Sequence, residues 1–127
     1  MSKGPTGPLY RLQFEHFPDH LYVYIHAPRL TEAVVRSYLR EVADEAAKAG
    51  HRRILIVRDI EDSLSDVVNY NLSQTTSEWL KGVKVAWVNP HPTQQAAMQF
   101  FIDVASNRGS HYKLFTNVDA ARKWLLR

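Results

Sequence analysis

The sequence predicts an α/β domain: one mostly parallel five-stranded sheet, in the order β-β-α-β-α-β-α-β-α, with an antiparallel first edge strand. Three observations carry this. From about residue 30 onward, strand-like and helix-like segments alternate, which favours parallel strands joined by crossover helices. The run Ile54-Leu55-Ile56-Val57 is apolar without interruption, as expected of a strand covered on both faces. Before it, two strand-like segments are separated only by Phe17-Pro18-Asp19-His20, a connection suited to a hairpin.

Residues 9–17 alternate, with Tyr10, Leu12 and Phe14 set between Leu9, Arg11, Gln13 and Glu15, a period-2 strand pattern. Residues 21–27 are β-branched and aromatic, as strands favour. Pro28 breaks that strand and Thr31 is placed to cap a helix. In that helix Val35, Tyr38, Leu39, Val42, Ala46 and Ala49 keep one apolar stripe, and Gly50 follows as its stop. Residues 53–58 form the central strand. A weaker helix is expected over 63–80, with Leu64, Val67, Val68, Leu72 and Leu80 facing inward. A strand over 83–88 leads to a loop over 89–93. The helix over 94–107 is expected to bury Ala97, Phe101, Val104 and Ala105. After Arg108-Gly109 come a strand over 112–115 and a last helix. Asn117 caps that helix, Asp119 suits its dipole, and Ala121, Trp124 and Leu125 pack it down.

At 127 residues the chain fits one domain, read as residues 9–127 after a flexible leader over 1–8. Hydrophobic residues make up 45% and charged residues 23%, which is globular rather than disordered composition. The absence of cysteine excludes disulfides and thiolate chemistry and fits a reducing, cytoplasmic setting. The N-terminal residues lack the apolar run of a signal peptide, and no stretch is long enough to span a membrane. The net charge of +3 is small for a nucleic-acid binder. Lys81, Lys84, Arg122, Lys123 and Arg127 are scattered around one Arg52-Arg53 pair, so a nucleic-acid partner is not expected.

Three segments carry a family resemblance: Arg53-Ile54-Leu55-Ile56-Val57, Lys84-Val85-Ala86-Trp87-Val88, and the stretch from Lys113 through Phe115, Asn117 and Ala121 to Trp124-Leu125. With the element order over 9–127, they make the chain similar to the STAS/SEC14-like group. Within that group it resembles the family of stage II sporulation protein AA, the anti-sigma-factor antagonists. The resemblance implies a sheet covered by helices, no cofactor, and a regulatory or ligand-binding role. In the best-known antagonists a serine is phosphorylated at the start of the helix after the central strand. The corresponding stretch here is Asp62-Ser63-Leu64-Ser65-Asp66, which departs from the usual Asp-Ser-Ser-Gly in having no glycine.

Ser63 and Ser65 are therefore candidate phosphoacceptor or partner-binding residues, since a helix N-terminus suits a phosphate; a capping role competes with this reading. Asp59, Glu61, Asp62 and Asp66 cluster after the central strand, where open α/β sheets hold ligands. His91 lies in the next such loop, which should neighbour the first. The other histidines (His16, His20, His26, His51 and His111) show no helical metal-ligand spacing. Tyr70, Trp79, Met98 and Phe100 are candidates for an exposed apolar surface; Phe100 and Phe101 are adjacent on a helix and cannot bury equally well. The expected function is a non-catalytic regulatory or ligand-binding module acting through protein–protein contacts. One alternative is a carrier of a small apolar or lipid-like ligand. The other is a small hydrolase or metal enzyme using Asp59, Asp62 and His91. The first strand, as an open edge, would allow a homodimer.

Overall fold

The structure, a computed structural model, describes residues 9–127. The leader expected over 1–8 lies outside the described residues. Strands β1 (Arg11–His16), β2 (Leu21–His26), β3 (Arg53–Asp59), β4 (Lys84–Val88) and β5 (His111–Phe115) form one sheet in sequence order. β1 pairs antiparallel with β2, and the remaining pairs are parallel. The helices are α1 (Glu32–Ala49), α2 (Asp66–Trp79), α3 (Gln95–Asn107) and α4 (Val118–Leu126), with a 3-10 turn at Pro92–Gln94.

The first hairpin closes through Phe17 N–H, which donates to the His20 carbonyl at 2.9 Å. β1 is shorter than the alternation suggested. Tyr10 lies outside the strand and is buried edge-on against Tyr38, its hydroxyl donating to Glu41, while Leu9 is exposed. Thr31 caps α1 by accepting from Val34 N–H, and Gly50 ends it at φ 74°, a backbone conformation that glycine adopts without a Cβ penalty. Asn117 caps α4 through Ala120 N–H.

Parallel neighbours in sequence order, joined by crossovers of one hand, put α1, α2 and α3 on the same face of the sheet. That face meets Val23, Ile25, Ile54, Ile56, Val85 and Trp87 in the larger core. Among the described residues, α4 is the helix on the opposite face, setting Ala121 and Leu125 against Leu55, Val57, Ala86 and Val88. β3 is buried on both faces as its continuous apolar run requires.

Two helix faces differ from the periodicity reading. Val67 is exposed to 71%, because α2 turns Leu72, Ser73 and Thr76 inward instead. Those two hydroxyls can be buried because each donates to a helix carbonyl: Ser73 to Asn69 and Thr76 to Leu72, both at 2.7 Å. In α3 the inward residues are Met98, Phe101, Ile102 and Ala105, while Ala97 and Val104 are half-buried.

Candidate functional site

The carboxyl ends of β2, β3 and β4 meet in one patch because parallel strands all point there. β3 ends at Asp59, whose carboxylate accepts from the Tyr24 hydroxyl at 2.5 Å and pairs with His91 Nε2 at 2.6 Å. His26 Nδ1 reaches the Asp59 carbonyl at 2.9 Å. The two loops expected to neighbour each other are thus bonded through Asp59 and His91. Tyr24 carries no site signal in the sequence, although its place on the strand beside β3 puts it within reach. The Tyr24 bond, and after it His91, hold the Asp59 carboxyl below its usual range, and the carboxylate in turn raises the Tyr24 hydroxyl.

Asp62 folds the next loop. Its carboxylate accepts from Leu30 N–H at 2.9 Å and Ser63 N–H at 3.0 Å, and these two bonds, Leu30 first, depress its pKa. Ser65 is the N-cap of α2, accepting from Val68 N–H at 3.3 Å. Ser63 is exposed and is not used as the cap. Gln94 Nε2 donates to the Glu61 carbonyl at 2.5 Å, and Glu61 approaches His91 Nδ1 at 3.7 Å. No group of three or more metal-ligating side chains is gathered among the described residues. His16, on the hairpin, contacts His51 at 2.9 Å and Glu45 at 2.6 Å.

The candidate apolar surface does not hold together. Met98 is 5% exposed and lines an internal cavity, because its helix turns that side to the sheet. Phe100 and Trp79 are half-buried, and the Arg40 guanidinium lies over the Trp79 ring at 5.3 Å. Of the four, Tyr70 is exposed.

Beneath the Ser63–Leu64 segment, between the sheet, α2 and α3, lies a cavity with about 30 Å³ of room. Its wall includes Leu39, Leu72, Met98 and Phe101, and also Arg58, Trp87 and Gln94. Arg58 follows Ile54 and Ile56 in strand phase, so its side chain enters the larger core, where it is 8% exposed. That alternation was the sequence signal for an inward arginine.

The amino ends of the strands gather cations that looked scattered. Arg52, Arg53, Lys81, Lys84 and Arg108 line an open cleft of about 620 Å³. Parallel register explains part of this: Arg53 is opposite Lys84, and Lys84 opposite His111. Lys84 Nζ donates to the Trp124 carbonyl at 2.8 Å. Burial lowers the Lys84 ammonium, and Arg53 and Arg127 lower it further.

No family model matches the chain, and no curated protein matches it. Solved structures do. The fold is SpoIIAA-like, the class that the strand order and helix placement define. One similar structure is an anti-sigma factor antagonist from Mycobacterium paratuberculosis, with a TM-score of 0.65 at 13% identity over 91% of this chain and 93% of that one. Another is an uncharacterized protein of the DUF3478 family with a SpoIIAA-like fold from Shewanella loihica, with a TM-score of 0.52 at 22% identity over 92% and 93%. At such identities the likeness is one of fold. No helix among the described residues is long and apolar enough to cross a membrane.

Proposed function

We propose that this chain is a STAS-type regulatory module that acts through protein–protein contacts, without turnover, at the carboxyl end of its parallel strands. One observation carries the reading. Two acids of this end are committed to structure, Asp59 to Tyr24 and His91 and Asp62 to backbone N–H groups, and Asp62 helps hold an exposed Ser63 in a braced loop ahead of α2. A braced polar loop loses little conformational freedom on docking. The likeness of fold to an anti-sigma factor antagonist supports the same reading.

The two alternatives draw less support. Sites for drug-sized ligands run to about 300–1,000 Å³, whereas the apolar cavity offers about 30 Å³. A metal or hydrolytic role for Asp59 would compete with the two bonds that already occupy its carboxylate oxygens.

The test is affinity capture with quantitative mass spectrometry, comparing wild type with Ser63→Asp and Ser65→Asp. Aspartate is as good an N-cap as serine, so the second change keeps α2 capped. A defined protein retained by wild type and lost with Ser63→Asp supports the proposal. Identical recovery by all three proteins overturns it.

A further inference from the structure

Three buried side-chain atoms have no hydrogen-bond partner among the described residues: Arg58 Nη1, Trp87 Nε1 and Gln94 Oε1. All three residues line the cavity beneath Ser63 and Leu64. They are 8%, 1% and 4% exposed. Unpaired buried polar atoms are rare, and several around one space call for a shared occupant.

Arg58 decides the sign of that occupant. A guanidinium keeps its charge at any pH a protein meets. Here its Nε donates to the Tyr38 hydroxyl at 3.3 Å, and no ion pair among the described residues includes it. Asp62 feels the charge, but its carboxylate bonds the backbone N–H groups of Leu30 and Ser63. A buried guanidinium without a direct ion pair is costly, and more so beside apolar walls such as Leu72, Met98 and Phe101.

We infer that the cavity binds a small, singly charged oxyanion that also carries an O–H group, bicarbonate being the simplest member of the class. Each orphan atom constrains it. Arg58 Nη1 and Trp87 Nε1 are donors and need acceptor oxygens. Gln94 Oε1 is an acceptor and needs a hydroxyl, because its Nε2 is already given to the Glu61 carbonyl. A lone guanidinium balances one negative charge, not two. The room of about 30 Å³ admits a guest of few atoms, since one water needs about 10–15 Å³. Water alone would serve the indole and the amide and leave the guanidinium without an ion-pair partner. Exposed Ser63 belongs to the same lining, so the cavity lies directly under the loop surface. This inference does not rest on the partner-binding reading.

The indole N–H of Trp87 is the reporter, one of three tryptophans in the chain, and its resonance is assignable through its edge-on neighbours Phe101 and Tyr112. The protein is titrated at mildly alkaline pH with sodium bicarbonate, sodium acetate and neutral acetamide, sodium chloride holding the ionic strength constant. The expected result is a saturable shift with bicarbonate and none with acetamide. Acetate, which lacks the hydroxyl for Gln94, should bind about two- to tenfold more weakly. Arg58→Met should weaken bicarbonate binding about tenfold or more. No saturable shift with bicarbonate, meaning water only, overturns the inference. So does an equal response to acetamide, or an Arg58→Met protein that responds like wild type. Should Arg58→Met fail to fold, the contrast between anion and neutral probe on wild type decides alone.

Discussion

At the carboxyl ends of β2, β3 and β4 two carboxylates, Asp59 and Asp62, are committed to named partners, whereas at the amino ends five cations crowd one open cleft. Asp59, Asp62, His26 and His91 each bond a specific atom. Arg52, Arg53, Lys81, Lys84 and Arg108 share their cleft with Asp19 as its one carboxylate, and that carboxylate pairs with His20 at 2.7 Å. Turns at the amino end are made by backbone conformation, with Gly50 and Gly82 at positive φ. Charge that builds local structure is bonded and sensitive to substitution. Charge that only accumulates is structurally cheap and sensitive to salt.

That contrast can be broken experimentally. The largest effect should come from Asp59→Ala, which leaves the Tyr24 hydroxyl and His91 without their shared acceptor. It should cost about 2–3 kcal/mol in urea unfolding. A loss no larger than that of an amino-end substitution would erase the difference between the ends. The same residue predicts a pH dependence. The folded-state pKa of Asp59 lies below its ordinary value of 3.8, lowered chiefly by Tyr24 and then by His91. The stability it contributes is therefore complete above 3.8 and lost as the pH falls through the depressed value. Acid titration of Asp59→Asn should lack that share of the decline; an unchanged acid limb would refute it.

Next come two local devices of about equal weight. Gly50→Ala should cost about 1–2 kcal/mol in thermal or urea unfolding, from the left-handed backbone alone, since nothing lies within 4 Å of an added Cβ. Ser65→Ala should cost about 1 kcal/mol through loss of the α2 cap, and Ser65→Asp close to nothing. Equal losses for those two serine variants would show that the hydroxyl does not act as a cap. The smallest effect belongs to Arg53→Gln. Relieving the repulsion on Lys84 should stabilise the protein by about 0.5 kcal/mol or less, at low salt, with the gain vanishing at high salt. A gain indifferent to salt would mean that the crowding of Arg53 and Lys84 is not electrostatic.

Much of the fold was legible because its signals are local. The apolar run of β3, the hairpin turn and the caps at Thr31, Gly50 and Asn117 each depend on neighbours a few residues away. The face of α2 was not legible, because two of its inward residues are Ser73 and Thr76. A hydrophobic pattern counts these as polar, while the helix satisfies their hydroxyls internally. The pattern favours Val67 in their stead, which the fold leaves exposed. The inward position of Met98 is hard to read because α3 carries apolar residues on more than one side, including Ala97, Phe100 and Val104. The contact between Asp59 and His91 was legible from topology, since both follow adjacent parallel strands. The basic cleft was legible in principle for Arg53 and Lys84, each of which opens a strand, but not for Arg108, which arrives from the end of α3.

That α4 is the one helix on the second face among the described residues bears on how the chain emerges during synthesis. Leu55, Val57, Ala86 and Val88 have α4 as their cover, so the sheet can form with that side still bare until residues 118–126 leave the ribosome. A message cut short before Val118 would yield a product with an adhesive apolar plane, a substrate for chaperones and proteases rather than a smaller working domain.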